Sequence, residues 1–346
     1  MTHKEQLLLL AQGVSNGIFP GAVALNGDAQ RKHFHQAVGL RMVEPEKRTM
    51  LLDTIFDLAS LTKPLVIGTL SLQLAAEGQL EFFEPVYRYL PEVVHQRIQI
   101  VDLLTHTSGY PAWQAIYPPA DQPKQSSQKL LARLGSMPLA YETRSQVVYS
   151  CLGYILMGKL IERLTGQSLD RLAKNRIFQP LGMIDTTYTP PVSWQLRCAA
   201  TESRSSAKNR RGNNYPRDDW WQETLIGSVH DENAHYLGGI SGNAGLFSTA
   251  DDLSLYCRSI LSRDERILPV SAISDMAFSR TEGLNANRSI GWVVLKDGSL
   301  YHNGFTGTAL RLNLEQENYQ ILLTNRVHPN ADDNRILGFR DQFFGF

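Results

Sequence analysis

Apolar and polar positions along the chain alternate with two different periods, and the period changes with position. Leu7 to Ser15 reads as a short first helix. Gly21-Ala-Val-Ala-Leu and Lys32-His-Phe-His-Gln-Ala-Val then read as two strands, and the Asn26-Gly27-Asp28 stretch between them predicts a hairpin turn, because Asn-Gly tolerates positive φ. From Ser60 to Leu80 the period becomes helical: Leu61, Leu65, Leu72 and Ala76 mark one apolar face, Pro64 fits the first turn, and Gly78 is a stop signal. A second helix is predicted over Leu152 to Leu164, with Gly166 just past its end. A polar stretch from about Cys198 to Ala234 has little periodicity and contains Trp220 and Trp221, which marks it as a functional loop.

The last third alternates differently. Thr249-Ala-Asp-Asp252 predicts a helix start, with Asp replacing the usual Glu or Gln of a capping box, ahead of Leu253, Tyr256, Ile260 and Leu261. Ile290-Gly-Trp-Val-Val-Leu, Leu310-Arg-Leu-Asn-Leu and Gln320-Ile-Leu-Leu-Thr-Asn predict an antiparallel meander, closed by a helix over Ile336 to Phe344. Strands at both ends and helices between them imply an α+β fold in which the two termini build one layer. The expected organisation is one domain over 1–346, with an α/β part from about 1–80 plus 245–346 and a helical, loop-rich part over about 81–244.

Composition narrows the functional classes. The 346 residues carry 34 Lys+Arg against 34 Asp+Glu, so a protein built around nucleic acid or an anionic membrane is disfavoured and a small-molecule partner is expected. Cys151, Cys198 and Cys257 are too scattered for a disulfide framework or a paired-cysteine metal site. The apolar run Leu7 to Ala11 is too short for a secretory leader, and no stretch is long enough to span a membrane, so the expected compartment is the cytoplasm.

Ser60-Leu61-Thr62-Lys63 places a serine and a lysine on one face of a helix entrance. A serine hydroxyl attacks only when a base removes its proton, and a lysine desolvated among apolar groups can be that base. The helix N-terminus adds free N–H groups for an oxyanion. The spacing alone is weak, since Ser126-x-x-Lys129 and Ser205-x-x-Lys208 share it within stretches that read as polar loops.

Tyr149-Ser150-Cys151 precedes the second predicted helix, and His302-Asn303-Gly304 is expected to begin a strand. With Ser60 and Lys63, in this order, they resemble the three motifs of serine β-lactamases and penicillin-binding proteins, most closely the class C β-lactamase-related hydrolases. Leu103-Leu-Thr-His-Thr-Ser-Gly109, Pro180-Leu-Gly-Met183, Gly245-Leu-Phe-Ser-Thr249 and Leu323-Thr-Asn-Arg-Val-His-Pro329 extend the likeness over about residues 20 to 330. The resemblance implies an antiparallel sheet flanked by helices, an α/β/α sandwich with an inserted helical subdomain, and no cofactor.

It also implies roles. Ser60 would form an acyl-enzyme, Lys63 would take its proton, and Tyr149 would relay a proton to the leaving group. The backbone N–H groups of Ser60 and Phe305 would form the oxyanion hole, worth roughly 3 to 4 kcal/mol per donor. Gly304 would let the strand approach the substrate closely, with His302, Asn303 and Cys151 as substrate contacts. Two departures matter: Cys151 stands where the family has Asn, and His302 replaces a lysine, leaving only a protonated imidazole as a partial substitute for the cation.

Gly227-Ser-Val-His-Asp-Glu-Asn-Ala234, followed by Gly238-Gly-Ile-Ser-Gly-Asn-Ala-Gly245, resembles a branch associated with penicillin-binding-protein-like peptidases and muropeptide amidases. His230 and Asp231 are expected to line a polar pocket and Trp220 or Trp221 to stack on a sugar; alternatively, Asp231 merely ties down the loop. His230 and His235 lie five apart, which fails the helical zinc spacing, so no metal is expected. The leading expectation is a serine hydrolase acting on an amide or ester of a small, peptidoglycan-derived molecule. A short-chain carboxylesterase or weak β-lactamase, and a non-catalytic ligand-binding relative, are the alternatives.

Overall fold

The computed structural model describes residues 1–118, 124–203 and 223–346. Among the described residues eleven strands run in chain order: β1 (Gly21–Asp28), β2 (Lys32–Met42), β3 (Arg48–Thr49), β4 (Phe56–Asp57), β5 (Ala200–Ser203), β6 (Thr224–Ile226), β7 (Phe247–Ser248), β8 (Val293–Val294), β9 (Leu300–Asn303), β10 (Ala309–Asn313) and β11 (Asn318–Thr324). Seven form one antiparallel sheet in the order β3-β2-β1-β11-β10-β9-β8, so β1 from one end of the chain pairs with β11 from the other. β4 pairs with β7, and β5 with β6.

Period-two alternation decides which face of this sheet each residue joins. Val23, Leu25, Leu310, Leu312, Ile321 and Leu323 enter the main core, where the helix Ala250–Ser262 contributes Leu253, Tyr256, Cys257 and Ile260. Ala22, Ala24, Ala309 and Leu322 face the other way, onto Leu9, Leu10, Phe339 and Phe343 from the terminal helices His3–Ser15 and Ile336–Phe344. Small residues on that face leave room for the aromatic rings of the closing helices. The fold is therefore α+β, an antiparallel sheet covered by helices on both faces.

Several sequence expectations shift when long-range contacts enter. The first hairpin turns at 28–31, not at Asn26-Gly27-Asp28, because the Asp28 carboxylate accepts from the Gln30 and Arg31 amides and builds the turn itself. Asn26 and Gly27 stay in β1 as a local irregularity of the β1–β2 register. The helical run after Ser60 ends at Ala76 and begins unevenly: a 3-10 turn at Ala59–Leu61 and a π-helical stretch at Lys63–Gly68 precede the regular helix Thr69–Ala76. Ser126, expected in a loop, is the N-cap of the helix Ser127–Gly135. His302-Asn303-Gly304 ends strand β9 instead of beginning one.

Local signals held where one residue decides them. Gly166 adopts the left-handed conformation that closes the helix Cys151–Thr165. Thr249 caps Ala250–Ser262 by accepting from the Asp252 amide, but no reciprocal capping box forms, since the Asp252 carboxylate instead accepts from the Asp185 amide and the Thr186 hydroxyl. Among the described residues no helix is long and apolar enough to cross a membrane. Thr249→Ala is expected to lower stability by about 1 kcal/mol in urea denaturation, the usual effect of losing a cap; an unchanged midpoint would show that packing alone holds this helix.

Candidate active site

Ser60 sits at the junction of β4 and the helical run, and its neighbours are held by side chains. Asp57, fully buried, accepts from the Ala59 amide at 2.8 Å and from the His230 amide at 2.8 Å. Thr306 donates to the Asp57 carbonyl at 2.7 Å and Thr308 to the Leu58 carbonyl at 3.0 Å, locking the β9–β10 turn onto the serine turn. Ala59 adopts φ 47°, a conformation rare for a residue with a Cβ and consistent with a tightly held turn. A Cβ on Gly304 would overlap Thr308 Oγ1 and the Leu58 carbonyl. The close approach that Gly304 permits is therefore to the serine turn, where the sequence suggested the substrate.

Lys63 points from the first helical turn into the same place. Its Nζ donates to Ser60 Oγ at 3.0 Å and to the Asn243 carbonyl at 2.8 Å, and the side chain is wholly buried. Tyr149 lies beside it, with Nζ 4.9 Å from the ring centroid; its buried hydroxyl is near Lys63 and Ser60 but among the described residues no group completes a hydrogen bond to it. The His106 ring packs against Tyr149 at a tilt, centroids 4.5 Å apart, and His106 Nδ1 accepts from the Ser150 amide at 3.0 Å, fixing the segment just before the helix Cys151–Thr165.

The charge state of Lys63 depends on its neighbours. Burial pushes its ammonium down, and negative forms of Cys151 and Tyr149 outweigh that and pull it up. Burial, however, pushes both the Cys151 thiol and the Tyr149 phenol up, so both are neutral near pH 7 and that pull is missing. What remains is burial, the largest influence, against the weaker upward pull of the Asp231 carboxylate, and the balance for Lys63 is downward, toward a lysine able to release its proton.

Two cavities meet at this point and share Ser60, Tyr149 and Phe305. One, about 490 Å³, is also lined by Trp113, Tyr117, Cys151, His230, Asp231 and Glu232. The other, about 340 Å³, adds Arg288, Val293, His302 and Asn303. A larger cavity, about 800 Å³, is lined by residues such as Asp170, Tyr188 and Trp194 and shares none with these two. Ser60 and Phe305 both line the shared region, and among the described residues neither backbone amide donates to another group. Trp220 and Trp221 lie outside the described residues; among the described ones Trp113 and Tyr117 supply the aromatic wall.

His302 does not supply the expected cation. It is buried, its Nδ1 faces the Asn303 carbonyl at 2.9 Å, and burial together with Arg288 and Lys63 holds its imidazole well below the usual histidine range. A cation lining that cavity is Arg288, whose guanidinium lies 5.8 Å from the Tyr149 ring centroid and whose buried Nε has no partner among the described residues. Burial pushes it down, but a guanidinium remains charged. Arg288 was missed because it stands outside the motifs; Asn243 and Asp57 were visible only as unremarked letters near Ser60 or inside the glycine-rich stretch. His230 lines the pocket as expected, but its Nε2 is engaged with Glu202 at 2.9 Å. Among the described residues no cluster of three or more His, Cys, Asp or Glu could hold a metal ion.

A serine bonded to a buried lysine, with a tyrosine beside them, is the arrangement expected of a serine hydrolase. The pattern of the Beta-lactamase family matches residues 9–342, and the chain belongs to that family. It is 32% identical over 329 residues to an N-acetylmuramyl-L-alanine amidase of Bacillus subtilis (strain 168), covering 84% of this chain and 73% of that protein. It is 29% identical over 328 residues to a putative D-alanyl-D-alanine carboxypeptidase of Escherichia coli (strain K12), covering 85% and 74%. Among solved structures, a class C β-lactamase superposes with TM-score 0.77 at 16% identity over 99% of this chain and 96% of that one. EstCE1, a hydrolase with promiscuous acyltransferase activity, superposes with TM-score 0.74 at 22% identity over 99% and 98%. The protein is a serine-type hydrolase of the β-lactamase family.

His106 and His302 are both buried and held neutral, His106 chiefly by burial and then by Arg288. Unfolded, each would protonate near pH 6.5, so the stability they contribute is present above roughly that pH and falls as the pH drops below it. In histidine-labelled NMR spectra both rings are expected to stay neutral through pH 6; a midpoint near 6.5 for His302 would restore it as the site's cation.

Proposed function

We propose that the protein hydrolyses an amide or ester of a small, peptidoglycan-derived molecule, such as a muropeptide or D-amino-acid peptide, through an acyl-enzyme on Ser60. The observation that carries this reading is the wholly buried Lys63 amine nitrogen 3.0 Å from Ser60 Oγ, which must be neutral to accept a proton. Lys63 takes the hydroxyl proton as Ser60 attacks the carbonyl. The oxygen that becomes negative is received by the Ser60 and Phe305 amides. Tyr149, whose hydroxyl faces Lys63 and Ser60, passes the proton to the leaving group and then activates the deacylating water. The sheet part, about 1–80 plus 245–346, and the helical part, about 81–244, serve as the two halves of this single catalytic unit.

Arg288 supports a substrate that carries a carboxylate beside the scissile bond. A largely desolvated guanidinium with no ion-pair partner among the described residues gains most from a planar anion, and it lines the same cavity as Ser60. Peptides ending in D-alanine present such a group. The name of one curated relative, a putative D-alanyl-D-alanine carboxypeptidase, agrees with that chemistry, and the name of the other, an amidase, agrees with amide cleavage. A carboxylesterase is the second reading, favoured by the apolar walls of Trp113, Tyr117 and Phe305 in the other cavity.

Lys63→Ala and Tyr149→Phe are each expected to lose at least about two orders of magnitude in kcat/KM, as removed acid–base groups commonly do; near-normal rates would remove them from the mechanism. Turnover of a D-alanyl peptide with a free carboxylate is expected to exceed that of its methyl ester by at least about tenfold, and Arg288→Met to abolish the preference. Fast hydrolysis of nitrophenyl esters with none of D-alanyl or muramyl peptides would establish the esterase reading.

A further inference from the structure

The segment Val229–Ala234 touches three walls of the site with three different residues. The His230 amide donates to Asp57, which in turn holds the Ala59 amide next to the nucleophile. Asp231 Oδ1 accepts from Asn243 Nδ2 at 3.0 Å and from the Ala234 amide at 2.8 Å. Asn243 is fully buried, takes a second bond from Ser241 at 2.7 Å, and presents the carbonyl that accepts from Lys63. Asn233, also fully buried, accepts from the Ile116 amide at 3.0 Å and donates to the Gln114 carbonyl at 2.9 Å. Those two bonds fix the loop that presents Trp113 and Tyr117 to the 490 Å³ cavity.

The division follows from helix geometry. Asp231 is the N-cap of Glu232–Tyr236 and Asn233 lies two positions on, so their side chains diverge by roughly 200° about the axis and reach opposite walls. Neither side chain needs to touch the reacting atoms to govern them. A carbonyl that accepts from Lys63 sets where the ammonium nitrogen stands relative to Ser60 Oγ, and a shift of about 1 Å there is enough to slow proton transfer by about two orders of magnitude. A wall of aromatic side chains instead sets how well the substrate body is held.

We propose that Val229–Ala234 divides the positioning of this site between two residues: Asp231 places Lys63 through Asn243 and governs the rate of bond making at Ser60, whereas Asn233 places the Trp113–Tyr117 wall and governs substrate affinity. This rests on Ser60 and Lys63 acting as proposed above. Both are positioning residues, and they are distinguished from plain structural supports by moving different kinetic constants.

An alkyl fluorophosphonate bearing rhodamine reads both constants. In its reaction the Ser60 Oγ–phosphorus bond forms, fluoride leaves, and the hydroxyl proton passes to Lys63. Asp231→Ala is expected to lower the saturating labelling rate at least about tenfold with the half-saturating concentration within about threefold. Asn233→Ala is expected to raise the half-saturating concentration at least about fivefold with the saturating rate within about threefold. If either alanine variant fails to fold by circular dichroism, Asp231→Asn and Asn233→Asp, which each keep an acceptor oxygen, should show the same split at smaller size. Variants that fold and move both constants together, or move neither, overturn the division. Wild-type protein that is not labelled, or Ser60→Ala labelled equally well, overturns the serine reading itself and the division with it.

Discussion

The site depends on a lysine side chain taken wholly out of water. Among the described residues an ammonium with three donors would find a serine hydroxyl and one backbone carbonyl, a poor exchange for hydration. That deficit favours the neutral amine, the form that the proposed base toward Ser60 requires. It also explains why the surroundings are so firmly braced: the carbonyl of Asn243, the ring of Tyr149 and the serine turn must each stay in place for the buried nitrogen to keep its two contacts. Asp57, Thr306 and Thr308 brace the turn, His106 braces Tyr149, and Asp231 braces Asn243.

Charge is distributed to suit this arrangement. The chain as a whole is neutral, so any selection for a charged substrate falls to local groups. His302 is buried and uncharged, and Arg288 takes over as the cation beside the nucleophile. The opposite cavity is walled by aromatic rings and bordered by Asp231 and Glu232. A cleft with a cation at one end and an aromatic, acidic border at the other suits a molecule whose parts differ in polarity on either side of the bond that breaks.

Much of the fold was legible because it rests on local rules. Thr249 caps a helix, Gly166 ends one, and alternation in Leu310–Leu314 and Gln320–Asn325 places strands whose pairing then follows. Expectations failed where a side chain's partner is distant in sequence or competes with a local motif. Asp28, not Asn26-Gly27, builds the first turn. Asp252 leaves its capping box to hold Asp185, and Trp220 and Trp221 fall outside the described residues. Of the site, the motif residues Ser60, Lys63 and Tyr149 are found together, and Phe305 and His302 border the same space. Arg288 and Asn243 were illegible: neither belongs to a spaced pattern, and each matters through a neighbour far away in the chain. Asp231 sits at the pocket as the sequence suggested, but its carboxylate also does what the blander reading proposed, tying down the loop through the Ala234 amide.

Acid-quenched mass spectrometry of the protein during turnover, followed by proteolysis, tests the central claim most directly. Turning over a D-alanyl peptide or a nitrophenyl ester, the peptide that contains Ser60 should carry the mass of the acyl group. Turnover with no covalent mass on that peptide, or with the mass on another residue, would contradict a mechanism in which Lys63 is buried to activate Ser60.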